Sequence, residues 1–248
     1  MKKVLSLLLV SAAAALPAGT ASAQAAASEW SISGNAGLFS DYRFRGMTQT
    51  DYGPAFQGGV DLSHASGLYA GNWNSNVEQR LYNGASLEMD FCGGYKGAVD
   101  GFGCDVGLIY YYYPKSAAAG TTKIDNTEIY VGSCFGPLAA KYYHATSDLF
   151  GIPGTKNSYY LDVGASYDLG GGFGVNAHVG YHKVKGLPAG SIDENTDYRL
   201  GATKDVSDWV FGLAVIGNSD KDFAFTANSG GTEAAGKARF VASVGKAF

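Results

Sequence analysis

The chain has 248 residues, with 18 Lys and Arg against 22 Asp and Glu, a net charge of −4. That balance excludes a nucleic-acid surface built on excess positive charge. Charged residues make up 16%, where a soluble surface usually implies about a quarter, and no run approaches the roughly 18 apolar residues of a helical membrane span.

The first elements are targeting signals. Lys2 and Lys3 precede an apolar run from Val4 to Leu16, and Ala21-Ser22-Ala23 is a small-residue cleavage site. The run is too short to span, and its flanks are those of a secretory signal peptide. Residues 1–23 are therefore expected to be removed, taking the net charge to −6 and leaving residues 24–248 as a single domain.

Trp30 to Gly46 then reads as one long strand. Trp30, Ile32, Ala36, Leu38, Tyr42 and Phe44 fall on one face, and Ser31, Ser33, Asn35, Asp41, Arg43 and Arg45 on the other. Successive strand side chains point to opposite sides, so this stretch divides an oily environment from a wet one. Ala55–Ser63 repeats the pattern. In Leu68–Glu78 the face with Tyr69, Trp73 and Val77 is expected outside and Asn72, Asn74 and Asn76 inside. Further strands follow near Leu87–Tyr95, Asp105–Tyr113, Thr127–Phe135, Leu138–Thr146, Tyr159–Tyr167, Val175–His182, Asp197–Thr203, Trp209–Val215 and Lys237–Phe248. Short turns alternate with polar loops, the longest at Gly217–Ala235. Mean hydropathy of −0.05 does not oppose a membrane location, because alternation hides a lipid-facing surface from any averaging window.

The fold expected is all-β: a transmembrane antiparallel up-and-down barrel of about twelve strands. The even count puts both termini on the periplasmic side. A soluble sandwich would carry Lys, Glu and Thr on its outer face. Here that face carries Tyr, Leu, Val, Phe and Trp, with aromatics near strand ends at Trp30, Tyr42, Phe44, Tyr110, Tyr112, Tyr159, Tyr167 and Trp209, as in interfacial girdles. Outer-membrane lipid is thus a partner, and the C-terminal strand ending on Phe248 is expected to meet the barrel-assembly machinery.

The stretch SGNAGLFSDYRFRGMTQTDYGPAFQGGVDLSHASGLYAGNWNSNV, with LEMDFCGGYKG, FGCDVGLIYYYYP and TEIYVG after it, resembles the TorF family of proteobacterial porins. The resemblance implies an outer-membrane porin of a Gram-negative cell and supplies no mechanism. The cysteines depart from that family's pattern.

Parity places Asp41, Asp61, Glu78, Glu88, Asp90, Asp105, Glu128, Asp162 and Asp197 in the lumen, with Arg43, Arg45, Lys141, Arg199, Lys237 and Arg239. Rings of charged side chains bias ion passage, and the acid excess predicts a slight cation preference. Tyr111, Tyr113, Tyr130 and Tyr160 also point inward and narrow the bore. The expected function is passive diffusion of small polar solutes or ions; the alternative is a non-conducting structural or adhesive barrel acting through its extracellular loops.

Enzyme signatures are absent: there is no G-x-S-x-G elbow and no H-E-x-x-H. His178 and His182 share a strand face but sit about 13 Å apart at strand rise, too far to share a metal. No cofactor, metal or catalytic residue is expected. Three cysteines in an oxidising compartment leave at least one unpaired. Cys92 and Cys104 flank one short turn and form the candidate disulfide, against a parity that puts them on opposite faces.

Overall fold

The alternation resolves into a closed ring of long strands. The computed structural model describes residues 29–116, 123–220 and 234–248. The expected signal peptide and most of the Gly217–Ala235 loop lie outside the described residues. The strands are β1 (Trp30–Phe39), β2 (Arg43–Phe44), β3 (Met47–Thr48), β4 (Ala55–His64), β5 (Leu68–Asn76), β6 (Leu87–Val99), β7 (Phe102–Tyr112), β8 (Asn126–Phe135), β9 (Leu138–Ala145), β10 (Tyr159–Gly170), β11 (Phe173–Lys183), β12 (Glu194–Val206), β13 (Trp209–Asn218) and β14 (Arg239–Ala247). Among the described residues, β1 and β4–β14 form a closed barrel of twelve strands, each antiparallel to its neighbours, while β2 and β3 make a separate small hairpin.

Closure falls between β1 and β14, where Asn35 pairs with Ala247 and Phe39 with Ser243. Two reciprocal backbone bonds, 2.7 and 2.9 Å, join Gly34 to Phe248. A Cβ at Gly34 would stand 2.7 Å from the Phe248 ring, so the terminal ring packs over the seam at a position where glycine leaves it room.

Five connections are tight turns of two or three residues, and the others run ten to twenty. Trp30 pairs with His64 beside one tight turn, which places the start of β1 at the tight-turn end. Apolar side chains cover the outer wall, with Leu200 68% and Phe240 73% exposed. Aromatic side chains gather toward both rims: Trp30, Phe102, Phe135, Tyr167, Phe173 and Trp209 near the tight turns, and Tyr159 in ring contact with both Tyr142 and Tyr181 near the long loops.

The structure corrects the sequence reading in three places. Strand β1 stops at Phe39; residues 41–53 bend into the barrel, so Tyr42 and Phe44 are not girdle residues. On β5, Ser63 pairs with Tyr69 and Asp61 with Gly71, which fixes Tyr69 and Trp73 inside and Asn72, Asn74 and Asn76 outside. The amides of the two inner members make a ladder along the outer wall: Asn74 donates to Asn72 Oδ1 at 2.6 Å and Asn72 to the Asp90 carbonyl at 3.1 Å. Third, Cys92 and Cys104 do not bond; all three cysteines are free. Cys92 pairs with Ile109 and Cys104 with Gly97, five rungs apart, or about 17 Å at strand rise, far beyond disulfide reach.

Leu200 lies mid-strand on the outer wall, between Ala177 and Val215. Arg at a bilayer midplane position costs about 2–4 kcal/mol. Leu200→Arg should therefore lower the unfolding free energy in lipid vesicles by that amount, measured by urea titration; an unchanged value would show that this wall does not face lipid.

Candidate functional site

The inward turn begins with a sequence feature of four residues. Phe44 pairs with Met47 and Arg43 with Thr48, so Arg45 and Gly46 form a two-residue turn. Their φ values are +46° and +78°, both positive as a type I′ turn demands. A Cβ on Gly46 would meet the Gly217 carbonyl at 2.5 Å and Asp197 Cβ at 2.7 Å. The tip of the hairpin is therefore pressed against β12 and β13, and only glycine fits. For Arg45 the left-handed conformation costs about 1–2 kcal/mol.

What holds Arg45 in that conformation is its partner set. Its Nη2 donates to both Glu128 oxygens, at 2.9 and 2.7 Å, and Nη1 lies 3.1 Å from His182 Nε2. The guanidinium stacks over Tyr160 at 4.4 Å and over Phe44 at 4.8 Å. Asn218 clamps the Arg45 carbonyl at 2.9 Å. Arg45 is 6% exposed and Glu128 1%. Burial opposes the Arg45 charge, but Glu128 and the nearby tyrosines outweigh it and hold its pKa above the ordinary value.

Arg43 anchors the base of the hairpin. Its Nε pairs with Asp41, and Nη1 donates to the carbonyls of Gly46 and Lys237 at 3.0 and 3.1 Å. Asp41 also accepts from Thr48 at 2.6 Å and Thr50 at 3.3 Å. Burial lifts the Asp41 carboxyl above its ordinary value, against the pull of Arg43 and the two hydroxyls. The Tyr52 ring lies under both Arg43, at 4.9 Å, and Arg239, at 4.5 Å.

Around this hairpin the barrel interior is a packed aromatic core. Tyr42, Tyr82, Tyr111, Tyr113, Tyr130, Tyr143 and Tyr160 are buried together, with Phe44, Trp73 and Phe150 against them. The four inward tyrosines read from the sequence are all among them. The filled region lies against β5–β10. Toward β1, β4 and β11–β14 a cavity of about 50 Å³ remains, lined by Asp41, Arg43, Arg45, Gln57, His178, Arg199 and Ser243 together with the apolar Phe39, Leu213, Ile216 and Val241.

The sequence-derived lumen residues thus divide. Asp41, Arg43, Arg45 and Glu128 meet in the hairpin. Asp162 and Asp197 each lie 3.0 Å from a ring nitrogen of His178, and Tyr160 donates to Asp197 at 3.0 Å. Arg199 lines the remaining space, and Asp61 stands half-buried on β4. Glu88 and Asp90 are buried at 1% and 2% on β6; among the described residues neither Asp90 oxygen has a hydrogen-bond partner. Glu78 is not a wall residue: it sits in a loop and pairs with Arg80 at 2.9 Å. Sequence reasoning set aside His178 and His182 once a shared metal was excluded, yet each contacts a charge of the site. No group of three or more His, Cys, Asp or Glu able to hold a metal occurs among the described residues.

A family model described as bacterial protein of unknown function (Gcw_chp) matches residues 23–248. No curated protein matches the chain in sequence. Among solved structures it is similar to the KdgM porin in complex with disordered oligogalacturonate: TM-score 0.53, 9% identity, 88% of this chain and 98% of that one covered. The NanC porin gives TM-score 0.53 and 11% identity, over 88% of this chain and 99% of that one. At such identity the likeness is one of fold, a porin-type barrel.

Breaking one side of a buried ion pair costs about 3–5 kcal/mol, whereas replacing both partners by apolar groups of similar volume is often neutral. Arg45→Ala should lose about that much in urea unfolding. Arg45→Met with Glu128→Met should recover most of it. A silent Arg45→Ala would mean that the hairpin is not buried.

Proposed function

We propose a function from this premise: the chain belongs to the Gcw_chp family of bacterial proteins of unknown function, matched over residues 23–248. It is an outer-membrane porin of narrow bore, through which small polar solutes or ions diffuse passively. The apolar outer wall and the aromatic rims suit an outer membrane. The TorF resemblance belongs to the same reading, as do export through a cleaved 1–23 signal peptide and insertion by assembly machinery acting on the strand that ends at Phe248. No catalytic role is assigned.

The observation that carries this reading is the space beside the hairpin. Eight strands give an interior filled by side chains, and sixteen leave an open aqueous channel. Twelve fall between, and here the inward segment fills one side and leaves a small cavity of mixed polar and apolar lining on the other. The rival reading is a closed barrel acting through its loops. It draws on the packed tyrosines and the buried Arg45–Glu128 pair.

Conductance separates the two. In planar bilayers the wild type should show small, steady single-channel currents. Deleting residues 42–52 removes the hairpin and should raise the conductance several-fold. If neither protein conducts, the porin reading fails and the loop reading stands.

A further inference from the structure

Glu88 and Asp90 are interior charges that the hairpin leaves unanswered. They stand two residues apart on the inner face of β6, paired across the sheet with Ser75 and Trp73, and Tyr111 lies beside Asp90 on β7. The charged groups that bear on Asp90 are Glu88 and Glu128, both negative. Arg45 is already committed to both oxygens of Glu128. The two carboxylates of β6 are thus left without a cation of their own among the groups that act on them. A buried charge without a partner is costly, and so is a buried acceptor left unmade.

Four oxygens here have no hydrogen-bond partner: Glu88 Oε2, both carboxylate oxygens of Asp90, and the hydroxyl of Tyr42. The last comes from a different segment. Tyr42 is 3% exposed, opens the inward stretch just ahead of β2, and turns its hydroxyl toward both carboxylates. Ser75, also buried, stands directly across from Glu88, with the Cβ atoms of such a pair about 5 Å apart.

The donors are all oxygen. Hard cations take such donors, and Ca²⁺ accepts about six to eight of them in flexible geometry, with carboxylates giving one oxygen or two. Two oxygens from each carboxylate and one from each hydroxyl make about six. A shared proton would leave one negative charge in place, whereas a divalent cation neutralises both.

We propose that Glu88, Asp90, Tyr42 and Ser75 form a binding site for a divalent cation of the Ca²⁺ kind, which fastens the root of the inward hairpin to β6. The site does not depend on conduction.

The test uses residues 24–248 refolded in detergent, free of outer-membrane lipid, with Ca²⁺ itself as the probe. In wild type, Ca²⁺ should raise the urea unfolding midpoint above its value in EDTA, and the rise should follow the logarithm of free Ca²⁺ once the site is filled, as for any ligand of the folded state alone. Tb³⁺, an oxygen-seeking stand-in, should give luminescence sensitised by Trp73, whose ring meets that of Tyr42 at 5.4 Å, and Ca²⁺ should displace it. Glu88→Gln with Asp90→Asn keeps both shapes and removes both charges. Its midpoint should not respond to Ca²⁺, and its sensitised emission should fall roughly tenfold. Tyr42→Phe removes a single donor and should weaken Ca²⁺ binding several-fold. Heat-modifiable gel migration equal to wild type shows that each variant is folded. A wild-type midpoint equal in Ca²⁺ and EDTA overturns the site and leaves the pair to protons alone. A Ca²⁺ response undiminished in the folded double variant overturns it by placing the ion elsewhere. If the double variant does not fold, Tyr42→Phe decides, and Ca²⁺ binding equal to wild type in that variant overturns the site.

Discussion

Everything inside this barrel depends on one buried ion pair. Arg45 sits at the tip of a two-residue turn in a conformation that an L-residue resists, and its guanidinium reaches both oxygens of Glu128 on the far wall. The pair works in both directions. Glu128 would be an unpaired buried charge among tyrosines without it, and the hairpin would keep only its other anchors, Arg43, Asn218 and the packing of Tyr42 and Phe44. Because both partners lie inside a ring of strands, the pair links the β1–β4 connection to β8, strands that do not touch within the sheet. His182 and Asn218 add β11 and β13 to the same point. A single residue, through its side chain and its carbonyl, thereby ties the hairpin to three separate positions of the wall.

This tie is what divides the lumen. Inward tyrosines from β7–β10 stack around Arg45 and Phe44 and leave no room on their side. The opposite side carries small residues and isolated polar groups, Gly37, Ala214, Ser243 and Gln57, which cannot close the gap. A wall of large side chains facing a wall of smaller ones leaves an off-centre cavity beside the hairpin.

Much of the fold was legible in the sequence, because a barrel strand between lipid and a polar interior must alternate. Twelve strands and the tight turns follow from period two, and the facing of β6–β14 from which of the two faces is apolar. The misreading of β5 has a plain cause: parity gives two faces but not which is outside. On β5 the larger side chains, Tyr69 and Trp73, were taken as lipid-facing. They point inward because the interior there is aromatic and not aqueous, and three asparagines take the outer wall, two of them linked in an amide ladder. The 41–53 segment keeps strand-like alternation as far as Phe44, and only the Arg45-Gly46 dipeptide marks the reversal. The sequence cannot show that Glu128, 83 residues later, is the partner that makes the reversal favourable. Of the candidate site, the residue types were found, and Arg43 and Asp41 pair as near neighbours in sequence; the Arg45–Glu128 pair was not legible, since it is a property of closure.

The central claim is that residues 41–53 lie inside the barrel and not along its rim. The Thr48 amide donates to the Ala235 carbonyl at 3.0 Å, which brings these two backbones within disulfide reach. Thr48→Cys with Ala235→Cys, in a chain whose own cysteines are replaced by serine, should cross-link under mild oxidation in intact outer membranes, seen as a reduction-sensitive gel shift. Failure to cross-link in a folded, heat-modifiable barrel would contradict the inward hairpin and the account built on it.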